Sequence, residues 1–452
     1  MRWGLREWGL QPWPLAATFL LAGLVLREAF SFWTGHPYDF EIWIRTGYVV
    51  AHGTNPYIAF WPPAPGVSID AFSSTLPSAA YLPFWALVTG GSYKAYLAVG
   101  GGNRYVYYFF LKQVPILADV ATAYLLYRLV RNWTGNVKLA TRALAFWSFF
   151  PYAIVISAIW GQFDPVEVVC VLAILLVSGT PRRNLVYGIG IFVKWITAIY
   201  LPFEFFRERG LRRLWVLLGL AVPTALTLVV FLGMHWTFTG IGATTVSESS
   251  GGGGGMNYAR MFELAPVQYV AVRIPGLLDV LPYVFVPAVV AVGWLMAKRV
   301  AAGGPQAELT CVLAIMAVFL LTRWGLNEQY FLYLFAPMVL DVLVFHPGRR
   351  DLYTYVGILA SAFLIVNNTF GVWFLTPINI GFDSWAIGFD RHAISSPIRQ
   401  YTMDGLAILI TFALTQLVWA LLREQSHPKP WLLRIWPSST ESPPNQPVQS
   451  RA

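Results

Sequence analysis

The chain has 452 residues, of which 57% are hydrophobic and only 12% carry a charged side chain. Its mean hydropathy is +0.56. Soluble globular proteins contain about a quarter charged residues, so this composition excludes a soluble globular fold and predicts an all-α polytopic membrane protein. The net charge of +9 is explained by basic loops beside membrane helices, and no nucleic-acid partner is predicted.

Most of the chain divides into apolar runs that are typical of membrane helices. They lie at residues 15–33, 106–130, 143–160, 166–180, 213–235, 276–297, 307–322, 331–345, 352–375 and 404–422. A further run at 185–203 contains Lys194 and has arginine clusters on both sides. Because both flanks favour the cytoplasm, this run is predicted to be a re-entrant hairpin with Lys194 at its apex. The predicted fold is a bundle of about 10 to 12 transmembrane helices.

The distribution of basic residues sets the predicted topology. Most of the 31 lysines and arginines fall in alternate loops, which places the N-terminus and the tail at 423–452 in the cytoplasm. The outer side then receives the first outer loop at 34–104, a second long loop at 236–275 and the segment 376–403. The membrane domain covers residues 1–422 in this interpretation.

Two of these outer loops have predicted internal features. The first is expected to carry short interfacial helices, including one over residues 76–89. The loop at 236–275 contains Gly251–Gly255 and is expected to be flexible. The cytoplasmic tail, which is rich in proline and serine from Pro437 onward, is expected to be disordered.

Polar side chains that could take part in catalysis or ligand binding are concentrated on the predicted outer side. Asp39 and Glu41 follow the first helix directly, where a carboxylate is well placed to act on a substrate at the membrane surface. The other candidates lie in turns between later apolar runs and at the hairpin apex: Gln162, Asp164, Lys194, Arg323, Asn327, Glu328, Gln329 and Tyr330. The inner loops offer mainly arginine and lysine. The outer side is therefore the predicted location of the functional site.

Several of these segments match a known pattern. His36–Trp43, Gly53–Tyr57 and Trp61–Pro63 together resemble the first outer loop of polyprenyl-phosphate-sugar-dependent membrane glycosyltransferases of the GT-C type. The likeness is greatest to the prokaryotic polyprenyl-phosphate-mannose α-mannosyltransferase branch. It continues in order through Trp160–Gln162, the Lys194 segment and residues 327–337.

The resemblance implies a GT-C-like bundle with its active site at the outer face of the cell membrane. It also implies a sugar donor, with mannose favoured, carried on polyprenyl or dolichyl phosphate, and a lipid-linked or glycan acceptor. The family's catalytic aspartate maps onto Asp39. Glu41 is a second acid that the simplest pattern lacks, so both residues are catalytic candidates.

The expected chemistry is an inverting transfer in which a carboxylate takes the proton of the acceptor hydroxyl. Lys194 and Arg323 are the candidates for binding the donor phosphate, because cations stabilise the charge that develops on it. Sugar or acceptor contacts are assigned to Gln162, Asp164, Asn327, Glu328, Gln329 and Tyr330.

No cofactor or metal site is predicted from the ligand spacing, although a divalent cation between Asp39 and Asp164 is left open. The alternative function is a polytopic transporter or lipid flippase, which would be expected to show paired repeats with charges near the membrane midplane in both halves.

Overall fold

The computed structural model describes residues 12–58, 60–69, 76, 81–241, 255–300, 304–389, 397–425 and 428. Within these ranges the regular elements are all helices, and Trp61 and Leu76 form an isolated antiparallel bridge. The all-α prediction is therefore confirmed. The glycines at 251–254 and the tail from Pro437 lie outside the described residues.

The helices are numbered here in chain order. They are α1 (Pro12–Ser31), α2 (Pro37–Ala51), α3 (Pro83–Ala98), α4 (Arg104–Thr134), α5 (Val137–Ser148), α6 (Pro151–Trp160), α7 (Asp164–Leu176), α8 (Thr180–Val193), α9 (Leu201–Arg207), α10 (Val216–Gly233), α11 (Ala265–Ala271), α12 (Leu277–Val300), α13 (Pro305–Thr322), α14 (Glu328–Phe345), α15 (Arg350–Asn367), α16 (Gly381–Phe389) and α17 (Pro397–Leu422). Short 3₁₀-helices occupy Trp195–Tyr200, Gly210–Trp215, Tyr258–Glu263 and Thr369–Leu375, and the last turns of α6, Val155–Trp160, form a π-helix.

Seven helical stretches in the described part are long and apolar enough to cross a membrane, and the number rises to nine if each of two bent helix pairs forms one span. The bent pairs are α5 with α6, at 47°, and α15 with the 3₁₀-helix that follows it, at 58°. These spans identify an integral membrane protein. The count is below the number of apolar runs because some runs fold into shorter helices. One of these is α7, whose 13 residues fall short of the about 20 that a perpendicular crossing needs.

The contacts between helices define two ends of the bundle. At one end, called the site end, Asp39 contacts Gln162, and Lys194 contacts Asp164. At the other end, called the basic end, Arg183 at the start of α8 pairs with Glu308 at the start of α13. The start of α13 also meets the end of α14 there, through Gln306 and His346.

A buried ion pair ties the first helices together. Nε of Arg27 in α1 lies 2.8 Å from Oδ2 of Asp119 in α4, and both side chains are fully buried. Asp119 also accepts hydrogen bonds from the indole N–H of Trp147 and the hydroxyl of Ser157. A buried carboxylate and guanidinium are tolerated in an apolar interior only when they are paired and hydrogen-bonded in this way.

The segment around Lys194 folds as a helical hairpin. Helix α8 ends at Val193, Lys194 adopts an extended conformation with φ −160°, and the chain then returns through the 3₁₀-helix and α9. Arg183 on the outgoing arm lies 2.7 Å from Glu204 on the returning arm, so the two arms run antiparallel. The predicted reversal of the chain at Lys194 is therefore confirmed.

Helices α2 and α3 fill much of the predicted first outer loop. Helix α3 covers residues 83–98 rather than the expected 76–89, because Pro83 takes the first helical turn, where it needs no N–H partner. The helix then continues through Gly90, where a Cβ atom would lie only 2.4 Å from Cγ1 of Val50. Glycine at this position therefore allows the close packing of α3 on α2.

Candidate functional site

Asp39 lies in the first turn of α2, at the site end. His36 caps this helix by accepting the backbone N–H of Asp39 at Nδ1, and Pro37 follows at the first helical position. An acidic residue in a first helical turn is favoured by the helix dipole. The Asp39 side chain is partly exposed, so a substrate can approach it.

Two side chains, one from the last turn of α6 and one from the turn that follows it, hold the Asp39 carboxylate. Oδ2 accepts a hydrogen bond from Nε2 of Gln162 at 2.6 Å and another from the indole N–H of Trp160 at 3.0 Å. The ring of His36 stacks on Trp160 with 4.8 Å between centroids. The Asp39 oxygen is therefore fixed by two donors, which is the form of support that a preorganised base needs.

Lys112 of α4 supports the turn that contains Gly161 and Gln162. The Lys112 ammonium is fully buried and donates to the carbonyls of Thr34 and Ala158. Gly161 has φ +86°, and a Cβ atom there would lie 3.1 Å from both Cε of Lys112 and the Phe40 ring. Because that conformation favours glycine, the residue lets Trp160 and Gln162 both reach Asp39.

Asp164 lies on the same turn but points to a different partner. Its Oδ1 lies 2.8 Å from Nζ of Lys194 and also accepts the hydroxyl of Tyr333. Its Oδ2 is buried and has no hydrogen-bond partner among the described residues. Lys194 is thus already ion-paired, a contact with Asp164 that the sequence did not indicate.

Arg323 is a further cation of the site, and no ion pair among the described residues includes it. Its side chain is buried, and Nε and Nη1 have no hydrogen-bond partner in the described structure. The guanidinium carbon lies 4.6 Å from the ring centroid of Trp195 and between 5.5 and 5.8 Å from three other rings, those of Phe285, Phe319 and Tyr330. A buried guanidinium without an anion is costly, so this position is suited to an anionic ligand.

Tyr330 connects the two cations. The Lys194 ammonium lies 4.7 Å from the Tyr330 ring centroid, and the Arg323 guanidinium lies 5.5 Å from it. Aromatic rings stabilise both charges through cation–π contacts. The structure therefore brings Lys194, Arg323 and Tyr330 together, as the prediction that they share one site requires.

The remaining candidates, at the start of α14 and just before it, have different environments. Glu328 is buried, accepts a hydrogen bond from Asn367, and is close enough to Asp39 for the two charges to interact. Gln329 is buried, and its Oε1 meets no hydrogen-bond donor in the part of the chain that the structure describes, whereas Asn327 is exposed. Glu328 therefore belongs to the surroundings of Asp39.

Glu41 lies apart from Asp39. It is fully buried, pairs with Arg45 at 2.7 Å and accepts the backbone N–H of Ile69 at 2.8 Å. Positions two apart on a helix do not face each other. The sequence left both acids as candidates for the base. The geometry favours Asp39, because the Glu41 carboxylate is already bound to Arg45 and to the backbone N–H of Ile69.

An apolar groove of about 290 Å³ lies beside Trp160. Its wall includes Phe374, whose ring is 5.5 Å from that of Trp160, and it also reaches Ile365 and Phe370, which are exposed on the bundle surface. The groove is lined almost wholly by hydrocarbon and aromatic side chains. Such a lining is suited to an apolar ligand.

Sequence reasoning missed several residues of the site. Lys112 and Tyr333 lie inside apolar runs, where Tyr333 looks like a core residue. His36 was recognised only as part of the resemblance. Burial of His36 lowers its pKa, while the charges of Asp39 and Asp383 oppose that shift. The one available signal was Lys112 itself, since a lysine within a membrane helix marks a functional or paired position.

Among the residues that the structure describes, no group of three or more His, Cys, Asp or Glu side chains could hold a metal ion. Asp39 and Asp164 are each engaged with separate protein donors. No protein-family model matches the chain, and no curated protein matches its sequence.

Proposed function

We propose that the protein is a membrane glycosyltransferase. It transfers a sugar, with mannose favoured, from a polyprenyl or dolichyl phosphate to a lipid-linked or glycan acceptor at the outer face of the cell membrane. The fold proposed with it is the GT-C-like bundle of about 10 to 12 helices with the Lys194 hairpin re-entrant in the membrane. These assignments rest on the resemblance and on the chemistry of the site end.

In the proposed reaction the acceptor hydroxyl attacks the anomeric carbon of the donor sugar. Asp39 takes the hydroxyl proton as the new bond to carbon forms. The bond between the anomeric carbon and the phosphate oxygen breaks at the same time, with inversion, and its electron pair leaves with the lipid phosphate. Arg323 stabilises the charge that the phosphate gains, and Lys194 is the neighbouring cation.

One observation carries the proposal. A partly exposed carboxylate, held by Trp160 and Gln162, lies at the same end of the bundle as a buried guanidinium that pairs with no anion in the described part of the chain. A base and an unpaired cation are the two charges that a phosphate-leaving transfer needs. The apolar groove beside Trp160 supports a lipid-linked substrate.

The test is transfer of radiolabel by the purified full chain in nanodiscs. The probe is a radiolabelled polyprenyl-phosphate mannose, offered with a membrane lipid extract as the source of acceptor. We expect label to reach an acceptor with the wild type, to fall by about 10²-fold or more with Asp39→Asn, and to require more donor with Arg323→Met. The matched control is Asp279→Asn, which removes an exposed carboxylate at the same end.

Two results would contradict the proposal. Normal transfer by Asp39→Asn would remove this residue as the base. Movement of intact lipid-linked sugar between leaflets, without any transfer of label, would instead favour the transporter or flippase.

A further inference from the structure

A patch of four arginines lies at the basic end, away from the proposed reaction. It consists of Arg182, Arg209, Arg212 and Arg213, and is called the arginine patch. All four side chains are exposed, and none of them has an ion-pair partner among the described residues. Two neighbouring arginines differ, because Arg183 and Arg207 share Glu204 and Glu308.

The fold brings this patch together from two segments. Arg182 lies in the first turn of α8, whereas the other three arginines lie between α9 and α10. A hydrogen bond from the hydroxyl of Thr180 to Glu208 joins the two segments. The antiparallel arms of the hairpin therefore place four positive charges on one surface.

Apolar side chains are interleaved with these charges. Within the 3₁₀-helix Gly210–Trp215, Leu211 is 84% exposed, Leu214 57% and Trp215 46%, and no residue of this helix is buried. Helix α10 continues directly from it and has exposed apolar side chains such as Leu217. Exposed leucine, tryptophan and arginine in one short segment are typical of a boundary between lipid and water.

We propose that the arginine patch binds the headgroups of anionic phospholipids in the leaflet at the basic end. Guanidinium groups match phosphate through parallel N–H donors, and the neighbouring Leu211 and Trp215 enter the region of the acyl chains. The segment runs directly into an apolar helix long enough to cross a membrane, which places these side chains at the depth of lipid headgroups rather than on a surface open to a nucleic acid or a soluble acidic protein. This binding is independent of the proposed sugar transfer.

The test compares lipid retention in two variants of the full chain. The patch variant carries Arg182→Gln, Arg209→Gln, Arg212→Gln and Arg213→Gln. The control carries Arg128→Gln, Arg131→Gln, Lys138→Gln and Arg142→Gln, which removes four exposed charges from the same end. Each protein is taken from nanodiscs of mixed phosphatidylglycerol and phosphatidylcholine, and bound lipid is counted by native mass spectrometry.

We expect the patch variant to retain about fivefold less phosphatidylglycerol than the wild type, with phosphatidylcholine unchanged and the control close to the wild type. Equal losses in the two variants would show general charge attraction and would overturn the proposal. Displacement of the lipid by soluble glycerol phosphate at equal concentration would also overturn it, because the apolar side chains would then contribute nothing.

A second measurement covers the case in which the patch variant does not fold. A phosphatidylglycerol carrying a photoreactive group near its headgroup is cross-linked to the wild type, and the adducts are mapped by peptide sequencing. Adducts concentrated in residues 205–216 would support the site. Adducts spread evenly over the basic end would contradict it.

Discussion

Asp39 and Glu41 stand two residues apart on α2, yet their side chains meet different surroundings. Asp39 is partly exposed beside Trp160 and Gln162, whereas Glu41 is buried against Arg45. Burial raises the pKa of Glu41, and the Ile69 N–H and Arg45 oppose this shift. Glu41 is therefore engaged by contacts that a substrate would have to break.

The first prediction concerns Glu41→Gln. The substitution removes the anion beside the buried Arg45, and breaking a buried pair in this way costs about 3–5 kcal/mol. We expect a clearly lower melting temperature in detergent, while Asp39→Asn melts close to the wild type. Label transfer per folded molecule should survive Glu41→Gln, and its complete loss in well-folded protein would instead make Glu41 catalytic.

The second prediction concerns His36 and pH. Because burial lowers the pKa of His36 from its ordinary value of 6.5, the folded protein binds this proton less readily than the unfolded chain does. The stabilising contribution of neutral His36 is therefore complete above that value. It is lost as the pH falls toward the lowered pKa of the folded state.

The measurement is the melting temperature of the wild type and His36→Gln from about pH 8 to about pH 5. Protonation of His36 can lower the free energy of unfolding of the wild type by at most about 1.4 kcal/mol per pH unit. We therefore expect the melting temperature of the wild type to fall more steeply with decreasing pH than that of the variant. Glutamine can still accept the Asp39 N–H through its side-chain oxygen. Identical pH profiles would show that His36 does not titrate in this range.

At the scale of elements, the π-helix at the end of α6 is the part that presents the site. It is followed by Gly161 in the left-handed conformation, and the carbonyl of Ala158 within it is bound by Lys112. π-Helical turns are rare and are frequently found at functional sites. Here the turn directs Trp160 and Gln162 to Asp39, while Asp164 begins α7.

The third prediction is made for this element. Gly161→Ala places a Cβ atom 3.1 Å from Lys112 and Phe40 in a backbone conformation that alanine disfavours. We expect label transfer to fall by about tenfold or more, because even a displacement of about 1 Å in catalytic geometry is costly.

Gly135→Ala is its matched control, since Gly135 has φ +66° at the end of α4 and open space around it. That variant should lose about 1 kcal/mol of stability and keep its transfer rate. Equal activities of the two alanine variants would show that the Gly161 turn does not set the geometry of the site.

At the scale of the whole molecule, the sequence predicted where the helices lie along the chain better than it predicted which helices contact each other. Apolar runs located the helices, and flanking arginines located the reversal at Lys194, because both signals lie in neighbouring residues. Asp39, Lys194 and Arg323 were found from polar residues at helix ends. Their convergence at one end of the bundle follows from alternating helix direction.

What the sequence did not provide were the pairings between distant segments. Asp119 is 92 residues from Arg27, and Tyr333 is 169 residues from Asp164. No local period signals such contacts, since each depends on how the helices pack. The same limit applied to Glu41, whose partner Ile69 lies on another part of the first loop.

The hairpin that carries Lys194 also bears on how the chain is made. Both arms begin and finish at the basic end. If the hairpin is re-entrant as proposed, the arginines of this segment stay on the side from which the chain inserts, and only Lys194 passes into the bilayer. Its counter-ion Asp164 is synthesised 30 residues earlier. The carboxylate is therefore present in the nascent chain before the Lys194 ammonium that it pairs with.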